Sequence, residues 1–214
     1  MIKIINKFAD FFSRQGVLFT AVTVTLAAFG INLVSKIMCG FYAMFIIDVV
    51  FILCVIFLYI AYRRHNKNVQ KGLLGAVLMW NLYDEFNFVV GNMVFTSDLF
   101  AQYNKSCELE YVILCTINVV LFGFLFANHF IINSDHHSRP VNIFINQLLV
   151  IAIAVITIVS LSFPVVWDNE FSVILEAVSW HVGQVASIMM IASYESVFDA
   201  YKIYRENSVQ KAEE

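Results

Sequence analysis

Apolar residues run along this chain in blocks of membrane-spanning length, and polar residues gather between the blocks. Residues 16–34, 38–62, 111–132 and 141–166 are long, nearly uninterrupted apolar segments. Each is close to or above the roughly 20 residues that cross a hydrocarbon core about 30 Å thick. Two further segments, 73–95 and 171–192, are long enough but carry polar residues within them. The pattern predicts an all-α polytopic membrane bundle of six transmembrane helices, four strongly apolar and two polar. Leaving both polar segments on the membrane surface would expose apolar stretches such as 73–80 and 185–192 to water. Surface-lying helices are the alternative for these two.

Composition supports the membrane class. The 214 residues are 60% hydrophobic and 14% charged, with a mean hydropathy of +0.77, more apolar than a soluble domain. With six crossings and a cytoplasmic N-terminus, eleven Lys and Arg fall inside and only Lys36 and Lys105 outside. Arg63, Arg64, Lys67 and Lys71 fix one inner loop, so the positive-inside rule places both termini in the cytoplasm. The net charge of -3, without a basic arm or stripe, argues against nucleic acid as a partner. The expected partners are the lipid bilayer and further copies of the chain.

Three regions follow. Residues 1–15 read as a cytoplasmic amphipathic segment, with Ile4, Phe8, Phe11 and Phe12 opposite Lys3, Lys7 and Arg14. Residues 16–193 form the bundle; its first apolar run continues through Val34, long for a signal peptide, and is read as retained. Residues 194–214 read as a cytoplasmic helix and tail, with Tyr194, Phe198, Tyr201 and Tyr204 as candidates for docking a protein partner. A helix end resting on lipid headgroups is the plainer reading of those aromatics. Each half of the chain runs strong, strong, weak in hydropathy, the order of an inverted repeat, although no residue-level repeat accompanies it.

Candidate chemistry centres on Asp84 and Glu85, adjacent carboxylates inside an otherwise apolar segment with no lysine or arginine close by in sequence. A charge at a bilayer centre costs roughly 2.5 to 3.5 kcal/mol on insertion scales, so such groups must be paired, protonated or hydrated. Asn81, Asp84, Glu85, Phe88 and Asn92 share one face of the third helix. Glu176, Trp180, Gly183, Gln184 and Ser187 share a face of the sixth, with His181 at its border, and the two stripes are natural partners. Counting inward from the loops places Asp48, Asp84, Glu85 and His181 at a common depth. Asp48, Asp84, Glu85, Glu176 and His181 are therefore the candidate ion- or proton-binding residues, with Asn81, Asn92 and Gln184 as neutral support. The structural alternative is a set of protonated carboxyls tying helices together.

Other polar features carry less. Cys115, Asn118, Phe122, Leu125 and His129 form a stripe that reads as packing. A haem between His129 and His181 fits poorly, because the two differ by roughly 13 Å in depth. Asp135, His136 and His137 read as a solvated loop. Cys39, Cys54, Cys107 and Cys115 form no CxxC pair, although Cys39 and Cys107 share the outer side. Nucleotide-binding, metalloprotease and hydrolase motifs are absent, so no metal, no cofactor and no enzymatic activity is expected.

Two readings follow. The first is a non-catalytic inner-membrane subunit that senses a membrane or envelope state and acts with a cytoplasmic protein partner. The second is a small proton- or cation-coupled transporter or channel, a homo-oligomer, using the midplane carboxylates. Abundant Phe, Ile and Asn with scarce Pro is a bias of AT-rich bacterial genes, among which phage-defence and immunity membrane proteins occur. That association inclines the reading toward the first.

Overall fold

The computed structural model describes residue 7 and residues 10–38, 42–94, 109–134, 140–160 and 171–213. Side chains are described within these except at 42–44, 88, 91–94, 109–112, 130–134, 140–144, 172–174, 176–177 and 198–213. Apart from short turns at 13–14 and 64–66, the described residues are helical, with no strand. Six long helices follow in order: α1 (Gln15–Met38), α2 (Tyr42–Arg63), α3 (Lys67–Val94), α4 (Leu109–Ser134), α5 (Pro140–Ser160) and α6 (Phe171–Glu213). Where they are described, all six apolar segments of the sequence are thus helical.

Local chemistry sets the ends that are described. Pro140 opens α5, where its missing N–H and fixed φ cost nothing. Between α2 and α3 the chain turns in three residues. The Asn66 amide donates to the Ala61 carbonyl and the His65 amide to that of Tyr62, both at 3.0 Å, and His65 has φ 53°. This left-handed cap closes α2. Asn66 then caps α3 by accepting the Val69 amide at 3.3 Å through Oδ1.

Each helix packs on its neighbours in sequence, and α6 closes the ring on α1 through its most extensive contact. The polar helices α3 and α6 also touch across the ring's interior. A buried aromatic cluster sits among α1, α2 and α3. Phe51 stacks on Trp80 at 3.9 Å between ring centroids, and Phe29 meets their rings edge-on at 4.6 and 4.9 Å. Toward the turn between α2 and α3 the core continues through Leu74, Leu78, Leu125, Ile188 and Ile191, all buried.

Polarity is inverted relative to a water-soluble bundle. Asn32, Asp48, Asn81, Glu85, Asn118 and Gln147 are buried, while Phe19, Ile46, Phe57 and Phe124 are 54–68% exposed. Helix α1 and the Phe45–Arg63 part of α2 are long and apolar enough to cross a membrane. On α3, Met79 and Phe86 face outward while Asn81 and Glu85 face inward, so the helix read as polar has an apolar outer face.

One expectation changes. From the sequence, the last helix leaves the membrane from Tyr194 onward, with Tyr194 open to a partner. Instead α6 runs through 193 and 194 without a break, and Tyr194 and Glu195 are buried at 1% exposure each. The Tyr194 ring packs edge-on against Tyr62 of α2, 5.9 Å between centroids.

Candidate functional site

Two polar layers occupy the bundle interior. The one nearer the end of the bundle where α1 finishes and α2 starts is built around Asp84. Its Oδ2 accepts the Trp180 indole Nε1–H at 2.6 Å and the Gln184 amide at 2.9 Å, both from α6. One turn along, Asn81 and Ser187 exchange hydrogen bonds at 3.0 and 3.2 Å. The stripes of α3 and α6 therefore meet, each supplying hydrogen-bond partners to the other. His181 is buried and packs edge-on against Trp180, 4.8 Å between centroids.

Asp48 lies in the same layer and has a cation of its own. Lys36 Nζ bonds Asp48 Oδ2 at 2.6 Å, with both side chains almost wholly buried. Lys36 and Asp48 are also within electrostatic reach of the Asp84 carboxyl. Sequence reading put Lys36 in the outer loop and found no cation for the acidic pair. The missed signal is helical spacing: Phe29, Asn32 and Lys36 share one face of α1, and nothing between Val34 and Met38 breaks the helix.

Glu85 turns away from α6. It is 2% exposed and hydrogen-bonds Asn118 of α4, whose Nδ2 also donates to Thr157 Oγ1 of α5 at 3.1 Å. The adjacent acids thus serve different partners: Asp84 ties α3 to α6, and Glu85 ties α3 to α4.

The second layer lies at the opposite end. His129 Nδ1 pairs with the Glu195 carboxylate, and its Nε2 approaches the Lys71 carbonyl at 3.2 Å. Beside this pair Gln147 donates to Ser196 at 3.0 Å and Asn128 to Asn146 at 3.0 Å. The His129 stripe is therefore more than packing. Its partner was legible in principle, since Gln184, Ser187, Ile191 and Glu195 share one face of α6. Eleven residues of α6 separate Gln184 from Glu195, so the layers are roughly 16 Å apart along the helix. The buried aliphatic core fills the interval.

Among the candidates, Asp48, Asp84, Gln184, Asn81 and His181 fall in one layer, with Glu85 on its α4 side. The side chains of Asn92, Glu176, Phe198, Tyr201 and Tyr204 lie outside those described, as do Cys39, Cys107 and the Asp135, His136 and His137 loop. Tyr194 is interior and unavailable to a partner in this state. Among the described residues no three His, Cys, Asp or Glu converge in a metal-binding group. An apolar groove of about 500 Å³ runs between α1 and α6, lined by Gly16, Thr20, Val24, Val182 and Met189. It offers no acid, base or nucleophile.

No protein family, curated protein or solved structure matches this chain.

Proposed function

We propose that this chain is a non-catalytic, six-span membrane subunit with both termini cytoplasmic, in which α6 reports the state of the Asp84 layer to a cytoplasmic protein partner. The observation that carries the reading is the length and bonding of α6. Its 43 residues make a helix about 64 Å long, twice the hydrocarbon thickness of about 30 Å. One helix therefore bonds Asp84 through Trp180 and Gln184, bonds His129 through Glu195, and continues past the bilayer toward residue 213. A change in charge or occupancy at Asp84 alters what α6 is bonded to, and a rigid helix carries that change to its far end. The outward apolar faces support the membrane placement, and eleven basic residues on the cytoplasmic side against Lys105 outside, with Lys36 paired inside the bundle, support the cytoplasmic termini. Composition favours a bacterial inner membrane and a defence- or immunity-type setting.

A second reading, a proton- or cation-coupled transporter, draws on the buried carboxylates in both layers. One experiment separates the two. In sealed vesicles carrying the full chain or Asp84→Asn, a transducer gives no proton or sodium flux, and the substitution changes the maleimide labelling rate of a cysteine at position 208. Flux that disappears in Asp84→Asn, with labelling unchanged, would establish transport and sink the transducer.

A further inference from the structure

Asp84 and Glu85 are consecutive yet unequally served. Asp84 receives two strong donors and has Lys36 within electrostatic reach. Against its burial and the nearby Asp48 carboxylate, these donors and the Lys36 cation favour the ionised form. Glu85 is buried against α4 with one hydrogen-bond partner, Asn118.

Two atoms of that pair have nothing to bond to. Glu85 Oε2 and Asn118 Oδ1 are both buried and both without a hydrogen-bond partner. If Glu85 were ionised, both would be acceptors, and the protein would hold an uncompensated charge beside an unsatisfied amide oxygen. Each such group is costly in an apolar interior. A single proton changes both conditions. On Oε2 it removes the charge and makes the oxygen a donor, and the amide oxygen needs a donor. With the amide N–H on Oε1 and the acid O–H on Oδ1, acid and amide form a closed two-bond pair.

We propose that Glu85 is a proton-binding site, holding a hydrogen ion on Oε2 and sharing it with Asn118 Oδ1, while the neighbouring Asp84 is ionised. The groups around Glu85 agree. Asp84, the adjacent acid, acts on it electrostatically, so one charge on α3 disfavours a second. Helix α4 brings Asn118 and, one turn away, the thiol of Cys115; the described residues of α5 contain no titratable side chain. Two acids side by side thus take different protonation states from their surroundings, as acid and base pairs in proteins commonly do. The ligand of this layer is then the proton, and Asn118, bonded onward to Thr157, lets α4 and α5 register its presence. This deepens the proposed function and rests on its placement of α3 in the membrane, but not on movement of α6.

Infrared absorption of the purified full chain in lipid nanodiscs at neutral pH tests it. The difference between wild type and Glu85→Gln is expected to lose one protonated-carboxyl C=O band, which moves down in D2O, and to leave the carboxylate bands intact. Asp84→Asn is expected to lose carboxylate intensity instead. Loss of carboxylate bands in Glu85→Gln would overturn the assignment, as would loss of the protonated band in Asp84→Asn. Should Glu85→Gln fail to assemble, Asn118→Ala serves: the protonated band must shift upward as its acceptor is removed, and an unshifted spectrum refutes the shared proton. Because the readout is protonation, its failure is distinct from a failure of α6 to respond.

Discussion

Gly183 presents bare backbone to the Phe29 ring: a Cβ at position 183 would lie 2.8 Å from Phe29 Cε2 and 3.1 Å from Cδ2. Phe29 is fully buried and boxed by Phe51 and Trp80, so the ring has little room to retreat. This contact sets the approach of α1 to α6 at the level of the Asp84 layer, since Gly183 lies between Trp180 and Gln184 on α6. Gly183→Ala is expected to cost about 1–3 kcal/mol, the usual range for overpacking a filled core. Unfolding in mixed micelles measures it. Adding Phe29→Leu should recover part of the loss, and a Gly183→Ala protein as stable as wild type would show that α1 can move away freely.

Lys36 and Asp48 form a buried ion pair that stands next to Asp84. Removing one partner leaves a buried charge, at about 3–5 kcal/mol, whereas replacing both with apolar residues is often neutral. Lys36→Met should therefore be strongly destabilised and Lys36→Met with Asp48→Leu much less so. The same unfolding assay reads both. A double variant that loses as much as Lys36→Met and Asp48→Leu added together would mean the pair is not coupled.

His65 sits at φ 53° in the left-handed cap of α2. That conformation costs an ordinary residue roughly 1–2 kcal/mol, and glycine returns about 0.5–1 kcal/mol of it through the unfolded chain. His65→Gly is expected to stabilise the protein by up to about 1 kcal/mol. A clear loss of stability would instead assign the imidazole a contact of its own.

Six crossings put the connection between α3 and α4 outside the cell. Cys107, alone after replacement of Cys39, Cys54 and Cys115, should react with a membrane-impermeant maleimide on intact cells. Reaction only after lysis would move α3 out of the membrane and Asp84 and Glu85 to the cytoplasmic surface.

The six helices were legible because hydropathy needs only a run of about 20 apolar residues, and each run became a helix. Facing stripes on α3 and α6 were legible for the same reason that a helix has faces: Asp84, Gln184, Asn81 and Ser187 keep helical spacing and have few other donors to meet. Lys36 was not, because its partner Asp48 lies across a helix connection and hydropathy trims a charged residue from the end of a span. The His129 and Glu195 pair was legible only in part: Glu195 shares a face of α6 with Gln184 and Ser187, but nothing local links it to His129 on α4. The division between Asp84 and Glu85 also needed coordinates, since adjacent residues on a helix differ by about 100° and so meet different neighbours.

Coupling between Asp84 and the far end of α6 is most directly tested by distance. Spin labels at Asn68→Cys and Ser208→Cys, in a background free of other cysteines and in lipid nanodiscs, report the position of the α6 extension relative to the start of α3. The transducer reading predicts that Asp84→Asn and Trp180→Phe each shift or broaden the distance distribution while the helical content stays that of wild type. Superimposable distributions in all three proteins would contradict it, leaving the Asp84 bonds as a static tie between α3 and α6.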